Sequence, residues 1–148
     1  MSEVLDKPEV ARTYIDARGP RFGAVITTTV LAVALITQNR WVLVAQGLVF
    51  AIGALRGPQF TPYGLFFKKF VKPRLANPGP TEDVRPPKFA QSVGLIFALV
   101  GSVAAFAGAD LVFTIATGFA LGAAFLNAAF NYCLGCEMYL LLIRLTSK

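Results

Sequence analysis

The fold of this chain is decided by Phe22 to Pro58, which reads FGAVITTTVLAVALI over 22–36, TQNR over 37–40, WVLVAQGLVFAIGAL over 41–55, and then Arg56-Gly57-Pro58. Two uncharged apolar runs flank a polar tetrapeptide. A hydrocarbon core of about 30 Å takes roughly 20 helical residues, so each run is expected to extend a little past its apolar limits. Arg40 and the interfacial residue Trp41 argue against one long buried helix. The stretch therefore predicts a helical hairpin over 21–57.

The same logic extends outward. Phe89 to Ala109 is a third run without charge, and Asp110 marks a turn. Leu111 to Ile143 is then apolar apart from Asn127, Asn131, Cys133, Cys136 and Glu137. A single helix of that length would run about 50 Å. It either projects from the bilayer, or it bends near Asn131 to Gly135 and ends along the interface. Gly118 and Gly122 give it a small-residue face suited to close helix packing. Pro20-Arg21-Phe22-Gly23 opens the first hairpin and Pro87-Lys88-Phe89-Ala90 opens the second, an echo that suggests a parallel internal repeat.

Composition agrees with this reading. Of 148 residues, 55% are apolar and 15% are charged, and the mean hydropathy is +0.61. Soluble domains carry about a quarter charged residues, so a soluble globule and a disordered chain are both excluded. The expected fold is an all-α integral membrane protein with four transmembrane helices as two helical hairpins. It is divided into an N-terminal segment (1–20), the first hairpin (21–57), a central loop (58–88) and a second hairpin with a C-terminal CxxC (89–148).

Of the basic residues, Arg40 alone lies in a hairpin turn; the others fall in the N-terminal tail, the central loop and the C-terminus. The positive-inside rule then puts both termini and the central loop in the cytoplasm. This distribution and lipid contact account for the net charge of +6, so no nucleic-acid partner is expected. Within the proline-rich loop, Gly64 to Lys72 places Phe66, Phe67, Phe70 and Val71 on one face and Lys68, Lys69 and Lys72 largely on the other. That pattern predicts a short interfacial helix. Val10 to Arg18 is expected to form a short surface helix, with Asp16, Arg18 and Arg21 in interfacial ion pairs. Ala76 to Val84, with Glu82 and Asp83, is expected to be an exposed, mobile stretch.

There is no histidine, which removes any Ser-His-Asp or Cys-His arrangement. The one constellation with chemical potential is Asn131-Tyr132-Cys133-Leu134-Gly135-Cys136-Glu137. Two thiols at this spacing can cycle with a disulfide, carry sulfur as a persulfide, or ligate a metal. Placed late in one hydrophobic helix, the pair would meet the negative end of the dipole, which disfavours thiolate. Glu137 is a candidate proton acceptor for a thiol, or an interfacial acid pairing Arg144. A metal site needs more ligands than Cys133 and Cys136 supply, so it requires a dimer that shares them. Inert structural cysteines are the third reading. Asn127 and Asn131 either make interhelical hydrogen bonds or line the thiol site, and Asn131 also fits a helix break.

The residues also carry a resemblance. Asp16-Ala17-Arg18-Gly19-Pro20-Arg21-Phe22, Pro62-Tyr63-Gly64, Pro73-Arg74, Glu82-Asp83, Pro87-Lys88-Phe89-Ala90-Gln91, Gly94, Leu126-Asn127-Ala128 and Cys133-Leu134-Gly135-Cys136-Glu137-Met138-Tyr139-Leu140 resemble the bacterial membrane proteins grouped as domain of unknown function 4395. The resemblance spans roughly residues 15 to 145 and implies a multi-pass protein of the bacterial inner membrane. It also implies an association with thioredoxin-like and rhodanese-type proteins, and it maps the family's cysteine pair onto Cys133 and Cys136.

The expected function is a thiol–disulfide or sulfur-relay protein working through Cys133, Cys136 and Glu137 at the cytoplasmic face. No cofactor is expected. The competing expectation is a non-enzymatic accessory or assembly subunit, either as a homo-oligomer or within a larger membrane complex. A channel for a small sulfur species is a third, disfavoured because no charge lies mid-span.

Overall fold

The computed structural model describes residues 14–75 and 81–146. The two runs around the tetrapeptide form helices α1 (Arg18–Thr37) and α2 (Arg40–Leu55). Gln38 ends α1 in the left-handed backbone region, and the Asn39 side chain caps α2 by accepting the Trp41 N–H at 2.9 Å. The polar residues thus satisfy backbone groups that a helix end leaves open. The third and fourth runs form α4 (Arg85–Phe106) and α5 (Asp110–Phe130). The chain reverses between them at Gly108, where φ is 84°. Helices α1, α4 and α5 are long and apolar enough to cross a membrane; α2 is apolar but has 16 residues. At this reversal end, the Trp41 ring meets Phe106 edge-on at 5.2 Å.

Contacts along the helices fix their order. Phe50 lies against Gly94 and Leu43 against Gly101, so α2 and α4 run antiparallel. Arg21 reaches Ala128 and Thr114 reaches Gln38, so α1 and α5 do the same. Leu31, Ala34, Leu43, Phe50, Ala98, Phe113 and Ala120 meet in the core. Small residues at these seams let the backbones approach closely.

Two short strands extend the echo seen at Pro20 and Pro87. Strand β1 (Tyr14–Asp16) pairs antiparallel with β2 (Thr81–Asp83), with Ile15 opposite Glu82 at the centre. Each strand ends in an aspartate that binds the arginine two residues on. Asp16 Oδ1 accepts the Arg18 N–H at 2.9 Å, and Asp83 Oδ1 accepts the Arg85 N–H at 2.9 Å. Exchanging the two strands exchanges α1 with α4 and α2 with α5, so the α2–α4 and α1–α5 seams are the same contact made twice. The repeated motif is therefore Asp-x-Arg-x-Pro-Arg/Lys-Phe, longer than the tetrapeptide echo.

Two local expectations are corrected here. Tyr14 to Asp16 is a strand and not part of a surface helix, because a partner strand distant in sequence supplies its hydrogen bonds; residues 10–13 lie outside the described residues. Thr81 to Asp83 is that partner; Thr81 is exposed as expected, but Glu82 and Asp83 are half-buried and Val84 behind them is buried; residues 76–80 lie outside the described residues.

After α2, a 3-10 turn (Pro58–Phe60) leads into α3 (Pro62–Phe66), which continues as a π turn (Phe67–Val71) and a 3-10 turn (Lys72–Arg74). Thr61 caps α3 by accepting the Gly64 N–H at 3.0 Å. The expected helix is present, but its apolar face divides. Phe67 is 4% exposed and packs on the Phe22 ring at 5.6 Å, while Phe66 and Phe70 remain half exposed.

Candidate functional site

The long apolar run from Leu111 breaks. Asn131 takes the left-handed conformation at φ 55° and closes α5, with the Asn131 N–H donating to Asn127 O and the Tyr132 N–H donating to Leu126 O. These paired bonds satisfy carbonyls that the helix end would otherwise leave open. A new helix, α6 (Leu134–Thr146), starts three residues later. The sequence alternative of a bend near Asn131 to Gly135 is the one observed, and Asn131 is its cause.

This break corrects the expected position of the cysteines. They do not lie late in one helix; Cys133 stands at the N-cap position of α6. Its carbonyl accepts the Glu137 N–H at 3.0 Å, and its Sγ accepts the Cys136 N–H at 3.1 Å. Cys133 Sγ thus takes up one N–H of the helix start and lies at the positive end of the α6 dipole. The two Sγ atoms are joined in a disulfide, with the Cα atoms 5.1 Å apart. Both cysteines are half buried, and Glu137 is exposed in the first turn.

Packing on α4 sets where this pair sits. A Cβ added at Gly135 would lie 2.6 Å from Ala90 Cβ and 2.7 Å from Ala90 Cα, and the Tyr139 ring meets Phe89 at 5.5 Å. The helix is therefore pressed backbone to backbone onto α4 within two turns of its start. Arg21 Nε donates to Ala128 O at 3.2 Å, so the pair lies at the end of the bundle that holds Asp16, Arg18 and Arg85. Among the described residues, no three His, Cys, Asp or Glu side chains come together as a metal site.

A second polar feature was not singled out from sequence. Tyr63 of α3 donates its hydroxyl to Gln46 Oε1 at 2.7 Å, and Gln46 Nε2 reaches Thr27 Oγ1 at 3.4 Å. Gln46 is 1% exposed, and burial pushes the Tyr63 hydroxyl up, which keeps it a donor. The available signal was a lone glutamine in the second apolar run. Of the three residues read as interfacial ion-pair partners, Asp16 and Arg18 meet at 2.9 Å, but Lys72 joins them at 3.7 Å while Arg21 turns to Ala128. The Arg18 hydrogen bond holds Asp16 below the ordinary carboxylate value. Burial, and then the neighbouring Asp83, push Glu82 above it.

Fold and site together define a small helical protein with membrane-length apolar helices and a CxxC pair opening its last helix. The chain belongs to the family described as a domain of unknown function, DUF4395, whose pattern it matches over residues 15–144. No curated protein and no solved structure matches it.

Proposed function

We propose that this is a bacterial inner-membrane protein of one domain whose dithiol exchanges electrons or sulfur with a protein partner at the cytoplasmic face. Helices α1, α2, α4 and α5 are read as four spans in two hairpins, with α2 the shortest. The basic residues at the strand end of the bundle support the cytoplasmic assignment of that end and of both termini. The observation that carries the chemistry is the Cys136 N–H held on Cys133 Sγ at the start of α6.

In this reading Cys133 attacks as thiolate on a partner disulfide. The Cys133–partner disulfide forms, and one partner thiolate leaves. Cys136 then attacks Cys133 Sγ, forming the Cys133–Cys136 disulfide and releasing the second partner thiolate. Two electrons pass from the dithiol to the partner, and the two thiol protons pass to base, with exposed Glu137 as a nearby acceptor. In the sulfur-relay form, Cys133 attacks the outer sulfur of a partner persulfide and the partner thiolate leaves. A thioredoxin-like or a rhodanese-type protein is the partner class for these two steps.

Cys136→Ser removes the resolving thiol. A Cys133-linked adduct that reductant releases is expected to accumulate in cells, and it should be missing in the Cys133→Ser/Cys136→Ser double variant. Failure to find any Cys133-dependent adduct sinks this reading.

The accessory-subunit reading has one observation of its own. A methyl group added at Gly118 or Gly122 meets no other part of the described chain. The small-residue face of α5 is thus unused within the molecule, and a second copy or another membrane subunit would pack there. Co-purification with a larger complex, together with full function after cysteine replacement, is what this reading expects.

A further inference from the structure

Beside the β1–β2 ribbon lies a cavity of about 270 Å³ between the start of α1 and the Pro58–Lys72 segment. Lys68 and Lys72 line one side, and Pro20, Pro58 and Phe67 supply apolar walls. Gln59 also lines it. Asp16 is the one carboxylate in the lining. Three hydrogen bonds from Arg18 already occupy it, and Lys72 stands 3.7 Å away. The lining thus sets two lysines against one aspartate, which Arg18 neutralises from outside the cavity.

We infer that this cavity binds the headgroup of an anionic phospholipid. The phosphate lies against Lys68 and Lys72. A lipid is favoured over a soluble phosphate ester because the cavity adjoins half-exposed Leu65, Phe66 and Phe70, an apolar surface on which acyl chains can lie. The segment is then a headgroup clamp, and not solely an anchor resting on the leaflet. This inference rests on the membrane reading but is independent of the thiol chemistry.

The test is native mass spectrometry of the full chain in detergent, titrated with phosphatidylglycerol, phosphatidylcholine and soluble glycerol phosphate. Phosphatidylglycerol is expected to bind saturably and tightest. Lys68→Ala/Lys72→Ala should weaken it about tenfold, the scale of losing charge-assisted contacts. Lys69→Ala, which changes a lysine outside the cavity, should leave it unchanged. Equal effects of the paired and the Lys69 substitutions overturn the proposal, as does glycerol phosphate binding as tightly as the lipid. Alkaline carbonate extraction of the same membranes separates the two readings: a chain that stays in the pellet yet shows no selective binding loses the headgroup site alone.

Discussion

The two halves of the molecule share a scaffold and differ in the third element that each appends to it. Each half opens with a strand, an Asp-x-Arg contact and a proline-started helix, then a second helix that packs on the other half's first. After α2, the chain turns through Thr61 into α3, whose Tyr63 and Phe67 reach back into the bundle. After α5, it turns through Asn131 into α6, which carries the cysteine pair along α4. Both third elements lie at the same end, and each is pressed onto its own half by a glycine: Gly64 against the Pro58 carbonyl, and Gly135 against Ala90. Duplicated parts hold the bundle together. The parts that differ carry lysines and a half-buried tyrosine in one half, and sulfur in the other.

The largest expected effect is at the sulfur. Cys133 should alkylate about tenfold faster than Cys136 in the reduced protein at neutral pH, because the helix start favours its thiolate. Mass-resolved alkylation rates check this, and equal rates would remove the distinction between the halves that α6 provides. Next comes the seat of α6. Gly135→Ala drives a methyl into the Ala90 backbone, which cannot yield as a side chain can. It should cost about 1–3 kcal/mol and speed labelling of both reduced cysteines. Gly118→Ala meets open space and should change stability by less than about 0.5 kcal/mol. Thermal unfolding in detergent separates the two.

In the first half, Tyr63→Phe leaves Gln46 Oε1 without its donor and should cost about 1–2 kcal/mol. Thr117, fully buried in the second half, has an Oγ1 with no partner. Thr117→Val should therefore be neutral or stabilising by the same measurement. If both variants lose the same stability, the buried network of the first half is not distinctive.

The smallest effects lie in the ribbon and oppose each other. Asp16 titrates below its ordinary 3.8 when folded, so its contribution is complete above that value and is lost as pH falls through the lower folded value. Glu82 titrates above its ordinary 4.5, so its charged form weighs against the fold at neutral pH and is relieved as pH falls through the raised value. At pH 7, Asp16→Asn should lower stability and Glu82→Gln should raise it, each by under about 1 kcal/mol. Unfolding midpoints across pH 3–7, scanned in detergent, give the signs.

Much of this architecture was legible in sequence. TQNR marked the α1–α2 break because a helix end needs polar caps, and the proline echo marked the two helix starts. The strand pairing of Tyr14 with Asp83 was not legible, since a three-residue strand has no period to read and its partner is distant. The exact start of α6 was hidden because apolar residues continue on both sides of Asn131, so hydrophobic periodicity shows no interruption. That single break moves Cys133 from the late part of a helix to the start of one. The Tyr63–Gln46 bond was hidden for another reason: composition cannot tell which loop residue folds back to meet a buried amide.

The most direct test of the account is maleimide labelling of Cys133 and Cys136 in inside-out and right-side-out vesicles, with and without prior reduction. Labelling confined to inside-out vesicles and dependent on reduction is the result predicted for an accessible dithiol at the cytoplasmic face. Labelling from the opposite face, or thiols that stay unreactive after reduction until the protein is denatured, would contradict it.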